Sequence, residues 1–131
     1  MKTKDNIHEL LAGRWAEGWP KQLDFDDGWN DHIFETINKL IVTDPSIKFQ
    51  QIKEKFGLLR IYCSGHQKHA KKIRMLCERA EKQSANICEK TGRPGQLMRR
   101  NGVYKTLHIS FTNEGWIPVS DAPFTTFFTH H

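Results

Sequence analysis

Apolar side chains recur at helical spacing in several parts of the chain. The clearest set, separated by three, four and seven positions, comprises Ile33, Phe34, Ile37, Leu40 and Ile41. Residues at this spacing share one face of a helix. The helix is predicted to end at Asp44-Pro45, because proline disfavours helical geometry in the residue before it. A short amphipathic segment, Asp5 to Leu11, precedes it, and a longer helix is predicted over about Gln67 to Asn86.

The segment from Ile47 to Cys63 has the alternation of a β-hairpin instead. Its apolar residues change from odd to even positions part of the way along, which predicts a β-bulge near Gln50-Gln51. Phe56-Gly57 follows as a two-residue turn, since glycine tolerates a positive φ. This turn places Lys53 opposite Arg60.

The register gives the hairpin two different faces. The face predicted to pack on the core carries three aliphatic residues: Ile52, Leu59 and Ile61. The opposite face carries longer polar side chains: Gln51, Lys53, Lys55, Arg60 and Tyr62. We call Lys53, Lys55, Arg60 and Tyr62 the basic hairpin face.

A second hairpin is predicted around Asn101-Gly102, a strong turn signal, with strands Gln96–Arg100 and Val103–Phe111. Together these elements predict a single α+β domain over residues 1–131, in which the central hairpin packs against two amphipathic helices. Its core covers about residues 28–111. The aromatic tail, 112–131, is expected to dock on the body, and the indoles of Gly18-Trp19 and Gly28-Trp29 to anchor loops.

Composition narrows the functional classes. The chain has 131 residues and a net charge of +5, which favours an anionic partner, either nucleic acid or an acidic protein surface. No apolar run approaches the ~18 residues that span a bilayer, and no signal peptide is recognisable at the N-terminus. The three cysteines are therefore expected to be reduced, and the protein to be cytoplasmic, without a membrane partner.

The basic hairpin face is the candidate contact surface. Its cations could meet phosphates, and an exposed base could stack on Tyr62 or on an arginine. Alternatively, a helix covers this face and the long side chains merely lie along it. Arg93, Arg99 and Arg100, near the second hairpin, would extend the positive surface.

Other clusters of polar residues favour structural interpretations. The pattern Cys63-x-x-His66-x-x-His69 superficially fits a metal site, but a surface histidine pair is the more common outcome. An acidic cluster, formed by Asp24, Asp26, Asp27 and Asp31, is explained by solvated loop carboxylates and a helix cap. The sequence contains no G-x-S-x-G, P-loop or G-x-G-x-x-G motif. We therefore expect a protein that is not an enzyme and has no cofactor.

The segment QIKEKFGLLRIY, residues 51–62, resembles the core of a family of small, mostly uncharacterised phage and prophage proteins. The resemblance covers about residues 28–111 and implies a GW motif, this hairpin, a helix and a C-terminal zinc-ribbon-like knuckle. Where the family has ligands, this chain keeps Cys88 and His108 but has Thr91 and Phe111. Because structural zinc needs four Cys or His ligands, we expect the knuckle to persist with packing in place of metal.

Two functions follow from these expectations. The first is a non-catalytic phage-type accessory protein that binds nucleic acid with little sequence preference. The second is a protein-binding inhibitor or interaction module that acts on a host defence or nuclease component. In the second case exposed aromatics between Trp116 and Phe128 would anchor the partner, because large aromatic side chains dominate interface energetics.

Overall fold

A computed structural model describes residues 1–119, in which three α-helices and two three-stranded sheets form an α+β fold. The helices are α1 (Lys4–Leu11), α2 (Asn30–Thr43) and α3 (Ala70–Ser84). The strands are β1 (Leu23–Asp24), β2 (Lys48–Lys55), β3 (Leu58–Ser64), β4 (Gln96–Arg100), β5 (Val103–Leu107) and β6 (Ile117–Pro118). The α+β class predicted from the sequence is confirmed. None of the helices in this part of the chain is long and apolar enough to cross a membrane.

The first sheet has the order β1-β2-β3, and its central hairpin has the predicted register. Lys53 pairs with Arg60 and Ile52 with Ile61, and the register shifts at the predicted bulge between Phe49 and Gln51. β1 adds a parallel pairing on the other side of β2. The sequence did not indicate β1, because a two-residue strand is too short to show a period.

The main core lies between this sheet and the three helices. Among its fully buried side chains are Ile33, Ile37, Leu40, Ile52, Leu59 and Trp29. The Trp29 indole donates a hydrogen bond from Nε1 to the Ile87 carbonyl at 2.8 Å, as expected for a loop anchor. Trp19 does not act in this way, since it is 46% exposed.

The second sheet has the order β5-β4-β6 and covers a smaller core of Cys88, Met98, Leu107 and Trp116. The prediction that its last hairpin strand runs to Phe111 was wrong, since β5 ends at Leu107. The His108 side chain accepts a hydrogen bond from the Ser110 N–H and starts a 3₁₀ helix, Ile109–Glu114. Local capping has therefore replaced strand pairing. The predicted docking of the aromatics beyond Val119 lies outside the described residues.

The two sheets meet at the tip of the first hairpin. The Thr106 hydroxyl donates to the Gly57 carbonyl at 2.6 Å, and Gly57 also lies against Leu97 and the backbone of Lys105. Beside this contact the Gly28 N–H donates to the Glu89 carbonyl at 2.7 Å. The first hairpin is thus held at its tip, and its polar face is oriented relative to the second sheet.

Candidate nucleic-acid interface

The basic hairpin face is mostly open to solvent. Tyr62 is 41% exposed, and Lys55 is exposed as well. Lys53 is half-buried and places its Nζ 5.9 Å from the centroid of the Tyr62 ring. An aromatic plane and a cation therefore lie side by side on the surface, as in proteins that stack bases and bind phosphates.

Arg60 differs from the other residues of this face. Its Nη1 lies 3.5 Å from the Glu81 Oε1 of α3, and its side chain is 37% exposed. The alternative interpretation, in which a helix engages the face, thus holds for this one residue. Its charge is partly offset by the carboxylate, so we expect Arg60 to contribute less to anion binding than Lys53 or Lys55.

Helix α3 and the turn before it extend the positive surface. Between Gln67 and Ser84 the chain has six basic side chains and two carboxylates, Glu78 and Glu81. The basic residues, all exposed, are Lys68, Lys71, Lys72, Arg74, Arg79 and Lys82. The helix turns its apolar residues, among them Ile73 and Ala80, towards the core, so its charged residues remain in solvent.

A groove of about 390 Å³ separates β3 from α3, and Tyr62 and Arg74 are both among its lining residues. We call it the interface groove. Its strand side is the outer edge of β3, with which no strand within residues 1–119 pairs. The Leu59 N–H points away from β2 and donates to the Ser84 hydroxyl at 3.0 Å. Because backbone direction alternates along a strand, the N–H groups of Ile61 and Cys63 point the same way, towards the groove.

Phe56 is a contact candidate that sequence reasoning missed. It lies at the hairpin tip, is 69% exposed and has a φ of +53°. This conformation costs a residue other than glycine about 1–2 kcal/mol. The available signal was a bulky residue at the first turn position, where asparagine or aspartate is preferred. An exposed aromatic ring kept at a strained position points to a role in contact rather than in stability.

The arginines of the second hairpin have different roles. Arg99 is exposed on β4. The Arg100 guanidinium lies 4.6 Å from the centroid of the Trp116 ring and donates from Nη1 to the Glu114 carbonyl at 2.9 Å. Arg100 therefore helps to hold Trp116, which is only 6% exposed. Trp116 is therefore not an exposed anchor for a partner protein, and the other tail aromatics that the alternative function invokes lie outside the described residues.

Two positions of the family's metal site keep a residue that can ligate metal, Cys88 and His108, and each has a separate structural role. Cys88 is fully buried in the smaller core, and the His108 ring is hydrogen-bonded to the Ser110 hydroxyl. The turn after Cys88 is closed by hydrogen bonds, from the Gly92 N–H to the Cys88 carbonyl at 2.9 Å and from the Cys88 N–H to the Arg93 carbonyl at 2.7 Å. Within residues 1–119 no group of three or more His, Cys, Asp and Glu side chains could hold a metal ion.

The histidines of the Cys63-x-x-His66-x-x-His69 pattern are tied to Asp44. The His66 N–H donates to the Asp44 Oδ2 at 2.6 Å, and the His69 Nδ1 lies 3.2 Å from the same oxygen. Hydrogen bonds, first from the Ser46 hydroxyl and then from the His66 backbone, hold the pKa of Asp44 well below its usual range. This carboxylate therefore organises the loop that leads from β3 into α3.

Two carboxylates of the acidic cluster have partners within the chain. Asp27 lies 2.8 Å from the Lys4 Nζ, and Asp26 lies 3.2 Å from the Lys90 Nζ. The Lys4 ammonium is the main reason that the pKa of Asp27 is lowered, together with the Asn30 amide. These contacts join α1 and the loop before α2 to the rest of the fold.

Comparisons of the chain with protein-family models, curated proteins and solved structures found no match in any of the three. The resemblance to phage and prophage proteins therefore stays a prediction.

Proposed function

We propose that this protein binds nucleic acid, with little sequence preference, along the basic hairpin face and the interface groove. In this proposal the phosphates follow the cations of β2 and α3, and unpaired bases stack on Tyr62 and on Phe56. The interface would be non-catalytic. Consistent with the phage-type resemblance, the protein would be a cytoplasmic accessory factor that covers or presents a nucleic acid strand.

The observation that carries the proposal is the exposed Tyr62 ring, with Lys53 beside it and Arg74 lining the same groove. The Lys53 Nζ lies 5.9 Å from the ring centroid, and Arg74 lines the interface groove together with Tyr62. Base stacking on an aromatic side chain contributes about 1–3 kcal/mol per base and tolerates every base. Phosphate contacts add affinity that is independent of sequence. Such a surface favours single strands, whose bases are free to stack.

Replacing Tyr62 by alanine should weaken binding of a single-stranded oligonucleotide about tenfold, because one stacking platform is lost. Fluorescence anisotropy with a labelled oligonucleotide of mixed sequence measures the dissociation constant at low salt. The matched control is Tyr62→Phe, which retains the ring and should bind nearly as wild type does. The proposal fails if the wild-type protein binds neither single- nor double-stranded DNA or RNA at low salt.

The lysines of the basic hairpin face should affect how binding depends on salt concentration. The double variant Lys53→Ala/Lys55→Ala should reduce the slope of log K against log salt for a single strand by about 1.4 if each lysine contacts one phosphate. As a control, Lys39→Ala removes a charge from the exposed part of α2, where the lysine lies 4.0 Å from Glu35. This control should leave the slope unchanged. Equal slopes in the wild type and the double variant would exclude these two lysines from the interface.

Phe56→Asn should change stability and binding in opposite directions. Asparagine tolerates the φ of +53°, so the free energy of unfolding should increase by about 1 kcal/mol. Loss of the exposed ring should at the same time weaken oligonucleotide binding. Urea denaturation and the anisotropy titration measure the two effects on the same preparation.

The second hairpin offers the matched control for this prediction. Asn101 occupies the equivalent turn position, with a φ of +51°. Asn101→Phe should therefore destabilise the protein by about 1 kcal/mol and leave binding nearly unchanged. If Phe56→Asn is less stable than the wild type, the strain interpretation is wrong; if its affinity is unchanged, Phe56 does not contact the nucleic acid.

A further inference from the structure

Two of the three cysteines face each other across the interface groove. Cys63 lies on β3 and Cys77 on α3, and their sulfur atoms are 3.7 Å apart. Both side chains are partly exposed and line the groove, so small solutes can reach them. Cys88, in contrast, is fully buried in the smaller core. The sequence had predicted only that the three cysteines are reduced.

We propose that Cys63 and Cys77 form a reversible dithiol–disulfide site that links β3 to α3 and is oxidised by hydroperoxides. The sulfurs need to approach by less than the width of one atom to reach the bonded distance of about 2.05 Å. Because the fold holds the two sulfur atoms close together, formation of the S–S bond is an intramolecular step. The proposal rests on the geometry of the thiols and does not depend on nucleic-acid binding.

Either thiol can donate the hydrogen bond between the two sulfur atoms. When Cys63 donates its S–H, the pKa of Cys77 is lowered, and the same interaction together with burial raises the pKa of Cys63. In this arrangement Cys77 is the sulfur that more readily becomes a thiolate, which is the nucleophilic form. Cys63 is positioned to resolve the product, as in redox-sensing pairs.

The reaction has two steps with hydrogen peroxide as the oxidant. The Cys77 thiolate attacks one peroxide oxygen, the O–O bond breaks, and the departing hydroxide takes up the thiol proton as water. Cys77 is then a sulfenic acid. The Cys63 sulfur attacks the Cys77 sulfur, an S–S bond forms, the S–O bond breaks, and hydroxide leaves with the Cys63 proton as a second water. Two thiols and one peroxide thus give one disulfide and two waters.

The disulfide would connect the two sides of the groove that Tyr62 and Arg74 also line. It would close a loop between positions 14 residues apart in the chain. A link of this kind restricts the unfolded chain, so the oxidised protein should unfold at a higher urea concentration than the reduced protein. A thiol reductant should restore the original midpoint.

The test is peroxide treatment of the full chain, followed by thiol titration in denaturant and peptide mapping. We expect the titratable thiols to fall from three to one, with a linked peptide that contains Cys63 and Cys77 and no covalent dimer. Cys63→Ser should instead accumulate sulfenic acid at Cys77, which dimedone traps. The proposal would be overturned if all three thiols remained titratable after treatment, or if the linked peptides contained Cys88.

A comparison of rates needs no variant and keeps the test valid if a substitution disturbs folding. The wild-type chain should form the Cys63–Cys77 bond at least about tenfold faster when folded than in urea, because folding holds the thiols together. An equal or slower rate in the folded protein would mean that the geometry does not promote the bond, and would refute the proposal.

Discussion

Gly28→Ala should destabilise the protein by on the order of 4 kcal/mol or more, enough to leave much of it unfolded at ordinary temperature. An added Cβ would lie 2.5 Å from the carbonyl carbon of Glu89 and closer still to the carbonyl oxygen of Cys88. Both are backbone atoms of a turn closed by hydrogen bonds, so they cannot yield as a side chain would. The Gly28 N–H would also lose its bond to the Glu89 carbonyl.

Urea denaturation followed by circular dichroism measures this loss. The matched control is Gly18→Ala, where nothing lies within 4 Å of the added Cβ but φ is +84°. The control should lose only about 1 kcal/mol, the cost of a left-handed backbone for alanine. If Gly28→Ala is no less stable than Gly18→Ala, the backbone of Gly28 does not lie as close to Cys88 and Glu89 as the structure shows.

Lys105→Met should destabilise the protein by about 3 kcal/mol at pH 8 and by clearly less at pH 5. Glu89 has no exposed surface, and its Oε1 lies 3.4 Å from the Lys105 Nζ. The same ammonium lies 3.5 Å from the Glu54 Oε1. Burial lowers the pKa of Lys105, but attraction by Glu89, Glu54 and Asp26 exceeds that effect and the pKa is raised overall. Removing this cation leaves a buried carboxylate without its partner.

The direction of the pH dependence follows from the carboxyl group. Burial raises the pKa of Glu89 from its ordinary 4.5 to about 7, against the opposing effects of the Thr106 N–H and Lys105. Between these two values the folded state binds more protons than the unfolded state, so the Glu89 contribution to stability falls as pH rises. Without Lys105 the pKa of Glu89 in the folded protein rises further. The contribution of Glu89 to stability then continues to fall up to a higher pH.

Denaturation curves of the wild type and the variant at pH 5 and pH 8 provide the measurement. Lys72→Met serves as the control, because Lys72 is exposed on α3 and its loss should have a small effect that does not change with pH. A Lys105→Met effect as small as the control, or one equal at both pH values, would contradict the ion-pair interpretation.

Gly28 and Lys105 lie in the same part of the molecule, where both contact Glu89. Glu89 connects the loop before α2 to β5. Its backbone carbonyl accepts a hydrogen bond from the Gly28 N–H, and its side chain accepts one from the Thr106 N–H at 2.7 Å. Thr106 in turn holds Gly57 at the hairpin tip. The orientation of the basic hairpin face therefore depends on a buried polar contact between the two sheets, which is specific because each polar atom has a defined partner.

The sequence by itself determined the elements whose rules are local. The bulge between Phe49 and Gln51, the turn at Phe56-Gly57 and the pairing of Lys53 with Arg60 all follow from alternation and turn chemistry. The same holds for α2, whose apolar residues are spaced by the helical repeat. Because alternation places Lys53 and Tyr62 on the solvent side of the hairpin, much of the candidate surface was predictable too.

Only the tertiary structure decided which distant segments touch. It placed Glu81 beside Arg60, Arg74 across from Tyr62, and the Cys63 sulfur 3.7 Å from that of Cys77. It also buried Glu89, which no local pattern distinguishes from a solvated surface glutamate. The physical reason is that such contacts depend on how helices and sheets pack against each other. Periodicity specifies which face of an element is apolar but not the neighbour that this face meets.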